Sequence, residues 1–204
     1  MSTLEVRQAT TADIDDVSLT LALGFADDPV WGRWAFVDVP DRVERVRRQT
    51  AFWRPFVAAA VGYGGMMIAP ECSAVALWVP PGVDEVDSEN EAVAAEVMAE
   101  VLGPRAGLVE AGFEAFGASK PPGEYWYLSL LATHPDHRGH GLGMALVGHH
   151  LARLDAEGVP TYLESTNPVN IARYQRAGYS LLGAFDLPDG PAVDTMWRDA
   201  RTPD

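Results

Sequence analysis

The chain of 204 residues is 48% hydrophobic and carries a formal net charge of −14, which suits one globular domain and argues against the clustered Lys and Arg that hold phosphate backbones. Its apolar runs are too short to cross a bilayer, and residues 1–7 lack the basic and apolar regions of a signal peptide. Cys72 is the single cysteine, so no intrachain disulfide forms and a cytoplasmic setting is expected, without nucleic acid or membrane as partner and with a monomer or homodimer as the assembly.

Alternating residues 4–8 predict a half-buried strand, and Thr10-x-x-Asp13 predicts the start of a helix. A second helix is predicted over 41–60, carrying Phe52, Trp53 and Phe56, and broken by Gly62, Gly64 and Gly65. Apolar strands follow over 66–69 and 73–79, closed by Pro80 and Pro81. Residues 83–91 read as an acidic loop, 92–102 and 105–116 as helices, and 117–123 as an exposed connector. A long apolar strand is predicted over 125–133. Met144, Val147, Leu151 and Leu154 then recur at helical spacing as far as Gly158. A short strand covers 161–165, Asn167 caps a helix that has Pro168 at its first position, and Gly178 ends that helix. Strands over 179–186 and 192–198 close the chain around the turn 187–191. The fold class this order predicts is α/β with a mixed sheet.

The turn after the long strand reads Arg138, Gly139, His140, Gly141, Leu142, Gly143. Backbone N–H groups converging at the positive end of a helix bind a diphosphate, and the three glycines leave that backbone bare. The spacing is neither a dinucleotide fingerprint nor a P-loop. Together with Leu131, Ala132 and Thr133 ahead of it, the run resembles the acetyl-CoA signature of the GNAT superfamily of acyltransferases. All five histidines fall between residues 134 and 150. A zinc site at His134, His137 and His140 lacks the Cys or carboxylate cluster to complete it, so no metal is expected. The histidines instead offset the acidic chain where an anionic cofactor binds.

The resemblance implies the GNAT fold, a central, mostly antiparallel, twisted sheet splayed at the cofactor strand and flanked by helices. One acyltransferase domain spans 1–204, with the N-terminal strand and acceptor-side helices in 1–60 and the acetyl-CoA-binding core in 125–185. It also implies a bulge in the strand before the loop, with the pantetheine arm pairing to free backbone groups of Leu131 and Thr133. Residues 164–179, an Asn-containing helix ending in Tyr174, Gly178 and Tyr179, resemble the second GNAT signature. Tyr174 is the candidate acid for the departing thiolate, or else a core aromatic. Asn170, a poor helix former, fits a hydrogen bond to the pantetheine arm. Arg173 and Arg176 are candidates for the phosphates or plain surface, and Glu164 is a candidate base or an exposed carboxylate.

Segments 24–29, 76–81, 158–164 and 187–191 resemble an antibiotic-acetylating branch of the family. Trp31, Trp34, Phe52, Trp53, Phe56 and residues 125–127 depart from it. These aromatics suggest apolar walls for an acceptor, with Asp27 or Asp28 meeting its cation. The expected activity is direct transfer of acetyl from acetyl-CoA to the primary amine of a small molecule, antibiotic-like or aminoacyl-type. A protein or peptide amine acetyltransferase, and a non-catalytic acyl-CoA-binding regulatory module, remain the alternatives. Cys72 reads as a buried, inert thiol.

Overall fold

In the computed structural model, which describes residues 4–201, seven strands form one sheet in the order β1-β2-β3-β4-β5-β7-β6. The extreme ends of the domain expected over 1–204 lie outside the described residues. The strands are β1 (Arg7–Gln8), β2 (Met66–Ile68), β3 (Ala74–Val79), β4 (Trp126–Thr133), β5 (Thr161–Ser165), β6 (Ser180–Asp186) and β7 (Ala192–Arg198). Only β4 and β5 run parallel; every other neighbouring pair is antiparallel. The sheet is therefore mixed and mostly antiparallel, as expected.

Strand β3 shows why helices cover both faces. All six of its residues are buried, and its period of two divides them. Val75, Leu77 and Val79 enter one core with Leu21, Phe52, Trp53 and Phe56, contributed by α1 (Ile14–Phe25) and α2 (Arg42–Gly62). Ala74, Ala76 and Trp78 enter the other with Leu146, Val147, Leu151 and Leu154 of α5 (Leu142–Glu157). Each such side chain taken out of water contributes about 1.5–3 kcal/mol. The predicted amphipathic helix thus packs as its spacing requires.

Local hydrogen bonds move several boundaries. The strand expected over 4–8 pairs only at Arg7 and Gln8. Asp13 accepts from the Arg7 guanidinium at 2.6 and 2.8 Å and from Thr10 N at 2.8 Å, closing the Thr10 to Asp13 box that leads into α1 where the sequence places a helix start. Helix α3 (Ser88–Leu102) starts inside the segment expected as loop, because the Asp87 carboxylate accepts from Asn90 N at 2.9 Å and caps it,. Helix α4 (Ala106–Ser119) takes up the first part of the expected connector. A π-helical turn, Pro29–Trp34, joins α1 to α2 and has no counterpart in the sequence reading. Asp28 caps it, accepting from Val30 N at 2.9 Å and Trp31 N at 3.1 Å. A Cβ on Gly32 would stand 2.4 Å from the Ala26 carbonyl oxygen, so the turn closes only with glycine there.

Near the C-terminal end, Arg198 of β7 is 3% exposed and forms a two-pronged pair with Asp155 of α5, at 2.6 and 2.7 Å. Its Nε also donates to the Ala177 carbonyl at 2.9 Å. Removing Asp155 strands a buried guanidinium. Asp155→Ala should cost about 2 kcal/mol, below the ~3–5 kcal/mol of fully buried pairs because Asp155 is partly exposed. Chemical denaturation checks this, and an unchanged midpoint would show that β7 is not anchored there.

Candidate active site

The site grows from an interruption in the sheet. Strand β4 pairs with β5 at Trp126↔Thr161, Tyr127↔Tyr162 and Leu128↔Leu163, and the pairing ends there. On its other edge β4 pairs Leu128 with Trp78 and Leu130 with Leu77, which leaves Ser129 as the extra residue of a bulge,. His134 N donates to Ser73 O at 3.0 Å. The alternation of an antiparallel ladder then turns the backbone groups of Ala132 and Leu130 toward β3, and those of Leu131 and Thr133 the other way. They face the gap that opens between β4 and β5. A crevice of ≈ 30 Å³ lies in this region, lined among others by Phe25, Ser129, Leu131, Glu164, Asn170 and Tyr174.

The glycine loop follows, between β4 and α5. Gly139 and Gly141 adopt left-handed backbone, with φ of 84° and 75°, a conformation that disfavours a Cβ. Gly141 is the N-cap of α5, and no side chain caps the helix. The first backbone bond of the helix runs from Ala145 N to Gly141 O at 2.9 Å, so the amides of Leu142, Gly143 and Met144 have no acceptor within the helix. Gly143 has a different task. A Cβ there would stand 2.9 Å from Thr133 Oγ1, so glycine lets α5 approach the end of β4. Arg138 and His140 are exposed; Arg138 Nη2 donates to Gly24 O at 3.0 Å, and His140 Nδ1 lies 3.2 Å from His137 O.

The helical segment after β5 consists of a 3₁₀ turn, Pro168–Asn170, and α6 (Ile171–Arg176). Asn167 caps the turn, accepting from Val169 N at 3.2 Å. Arg173 and Arg176 are exposed, and Arg173 donates to the Asn170 side chain. Tyr174 is buried at the crevice. Burial and the nearby Asp28 charge push its hydroxyl up to about 12, so at neutral pH it holds its proton.

A second cavity, of ≈ 140 Å³, has Trp31, Trp53, Phe56, Phe113 and Phe116 as apolar walls and Glu85, Lys120, Tyr127 and Glu164 among its polar groups. Glu164, Ser129, Trp31 and Thr166 line both spaces, so the two meet at Glu164. The Glu164 carboxyl is buried, and its Oε1 has no hydrogen-bond partner among the described residues. Burial pushes this carboxyl up to about 7; Tyr127, Lys120 and Tyr162 hold it back and Glu85 adds to the rise. A carboxyl poised near neutrality can take a proton from an amine.

Some expectations need correction. Asp27 and Asp28 do not line the acceptor cavity. Asp27 pairs with Arg33, Arg42 and Arg45 at 3.2–3.4 Å. Asp28 is buried and spends its carboxylate on Val30 N, Trp31 N and the Thr166 hydroxyl, the last at 3.0 Å. Trp31, Trp53 and Phe56 do form its walls, whereas Trp34 and Phe52 are core residues and Trp34 Nε1 donates to Pro188 O. Glu85, Phe113, Phe116 and Lys120 escaped the sequence reading. Phe113 and Phe116, at helical spacing within a predicted helix, carried a usable signal; Glu85, in an acidic loop, carried none. Cys72 is buried and its thiol is pushed up by burial, as read from sequence, and it lines neither cavity.

Residues 61–179, more than half of the chain, match the family model described as "Acetyltransferase (GNAT) family". A Corynebacterium glutamicum structure of "histone acetyltransferase HPA2 and related acetyltransferase" is 26% identical with a TM-score of 0.71, over 99% of this chain and 99% of that one. The polyamine N-acetyltransferase of Drosophila melanogaster, which forms N-acetylagmatine, is 17% identical with a TM-score of 0.61, over 96% and 99% of the two chains. Arylalkylamine N-acetyltransferase 2 of Aedes aegypti is 12% identical with a TM-score of 0.63, over 98% and 100%. The latter two share the fold.

The raised carboxyl of Glu164 has a measurable consequence. The folded protein holds this proton more tightly than the unfolded chain, where a Glu titrates near ~4.3. Stability is therefore lost as pH rises from there through about 7,. Glu164→Gln should raise Tm at alkaline pH and leave it nearly unchanged in acid. An equal shift at both would show the carboxyl to be unperturbed.

Proposed function

The chain belongs to the GNAT acetyltransferase family and is an acetyl-CoA-dependent N-acyltransferase, and from this premise we propose that it acetylates the primary amine of a small molecule by direct attack. The observation that carries the proposal is the Glu164 carboxyl, buried with an unpartnered oxygen where the two cavities meet.

The residues around the crevice fit acetyl-CoA. The amides of Leu142, Gly143 and Met144, which have no acceptor within the helix, suit its diphosphate, with exposed Arg138, Arg173 and Arg176 adding positive charge to an acidic chain and His140 beside them in the loop. The backbone groups of Leu131 and Thr133, together with Asn170, suit the pantetheine arm. When bound, acetyl-CoA supplies a thioester activated for attack. Glu164 accepts the proton of the acceptor's ammonium, which frees the nitrogen lone pair. Tyr174, whose hydroxyl keeps its proton, gives it to the leaving sulfur. Cys72 lies outside both cavities, which favours transfer without a covalent enzyme intermediate.

Enclosed aromatic walls favour a compact acceptor over an extended peptide. The segments 24–29, 76–81, 158–164 and 187–191 are similar to puromycin N-acetyltransferase, which supports an aminoacyl-type acceptor. Trp31, Trp53, Phe56 and Tyr127 of the second cavity fall in the parts of the chain that depart from it, and they point to a different acceptor body. Relatives acting on polyamines and arylalkylamines support small amines in general.

Calorimetric titration with coenzyme A should show binding, and Tyr174→Phe should keep that affinity while lowering kcat by about 10²-fold or more. In the wild type kcat/KM should rise with pH through about 7 as Glu164 loses its proton, and Glu164→Gln should flatten this step. Heat on binding coenzyme A without thiol release on a broad amine panel would identify a binding module instead. No heat at all would remove the assignment.

A further inference from the structure

Glu164 is consumed by the chemistry just described, because it becomes neutral once it takes the acceptor's proton. The cavity holds a second carboxylate that the chemistry leaves untouched. Glu85 comes from the loop between β3 and α3 and lines the aromatic cavity beside Trp31, Trp53, Phe113 and Phe116. The hydroxyl of Ser129, the bulged residue of β4, donates to its carboxylate. Lys120, the cation whose charge acts on both Glu85 and Glu164, follows α4 on the exposed side of the cavity. Its Nζ stands 4.3 Å from the Tyr127 ring centroid.

Burial raises the Glu85 carboxyl, and the Ser129 hydroxyl and the Lys120 charge hold it back; with both carboxyls ionised this space sets two carboxylates against one ammonium. A single further positive charge balances it. An uncharged acceptor leaves a buried carboxylate without its counter-charge, which low-polarity surroundings penalise. The second ammonium of a polyamine meets aromatic walls, and the lining of the cavity offers it no third carboxylate. Other titratable groups near the pair are Tyr63, on which Glu85 acts and which also feels Asp87 outside the cavity lining, and Tyr125, Tyr127 and Tyr162 beside Glu164. All the tyrosine hydroxyls among them are pushed up and stay neutral. They add no positive charge.

We propose that Glu85, held by Ser129 inside the aromatic cavity, is the specificity-determining counter-charge for the acceptor, and that the acceptor class is a singly protonated primary amine on a flat apolar body. This rests on the small-amine transfer reading above and narrows it. Glu85 holds the ammonium in the cavity; Glu164 removes one proton; the nitrogen attacks the thioester carbonyl; the C–S bond breaks as the sulfur takes a proton from Tyr174, and the second proton of the nitrogen, shed as the amide forms, restores the tyrosine. Glu85 ends the cycle unchanged and enters no bond.

The probes are 2-phenylethylamine, its uncharged analogue 2-phenylethanol and the dication of 1,4-diaminobutane, titrated calorimetrically into the coenzyme A complex near neutral pH. In the wild type the phenylethylammonium should bind roughly tenfold or more tighter than either of the others, the discrimination typical of a hydrogen bond to a charged group. Glu85→Gln should lose about tenfold on the ammonium and leave the alcohol unchanged, and Glu85→Asp should recover most of the loss, as charge rather than shape predicts. Glu85→Gln should also lower the pH of the Glu164-controlled rate step, since Glu85 contributes to its rise. Equal binding of ammonium and alcohol, equal weakening of both by Glu85→Gln, or preference for the diamine would overturn the proposal. Glu85-dependent binding of the ammonium without thiol release would instead sink the transfer reading and leave charge selection standing. Acetylation with a KM unmoved by Glu85→Gln would do the reverse.

Discussion

The parallel pairing of β4 with β5 lasts three residues and then stops, and the site exists because it stops. Had the ladder continued, the backbone groups of Leu131 and Thr133 would be spent on β5. The interruption coincides with the bulge at Ser129. A bulge adds a residue and local twist to one strand, so β4 leaves the register of β5 at the point where a ligand needs free donors and acceptors. Glu164 lies one residue beyond the last position at which β5 pairs with β4, and its carboxyl lines both cavities.

Charge is distributed against this frame in a purposeful way. The chain as a whole is strongly acidic, yet the exposed glycine loop and α6 present Arg138, Arg173 and Arg176. Acidic groups near the site are sorted by their partners. Asp28 is tied to the amides of Val30 and Trp31 and to the Thr166 hydroxyl. It thereby fastens the turn that carries Trp31 to the segment that follows Glu164, and is a positioning residue. Glu164 has an oxygen left without a partner, so burial alone dominates its proton affinity. Burial raises both carboxyls; the bonds from Val30, Trp31 and Thr166 oppose the rise at Asp28, while Glu164 is pushed up to about 7,.

The glycine loop divides its labour in a comparable manner. Gly139 and Gly141 permit left-handed backbone, and Gly143 permits contact between α5 and Thr133. The same three residues expose amides at the helix start and hold that helix against the cofactor strand. Because α5 also buries Leu146, Val147, Leu151 and Leu154 in one of the two cores, the amides proposed for the diphosphate are backed by packing.

Much of this was legible from residues in order. Period-two and helical spacing located nearly every element, Asn167 and Gly178 marked the ends of their helix, and the glycine run marked the turn after β4, since these signals are local properties of the chain. The Thr10 to Asp13 box was legible as a motif, whereas the start of α3 slipped where Asp87 caps it, because that cap is decided by short-range geometry that hydrophobic pattern does not encode. What folding alone decided was the company each residue keeps. Asp27 and Asp28, adjacent to the aromatic stretch, were drawn away by arginines and amides. Glu85, in an unremarkable acidic loop, was brought 44 residues across the sequence to Ser129. Periodicity reports which face a side chain takes on its own element, and only the packing of distant elements sets which charges share a cavity and which lose their water.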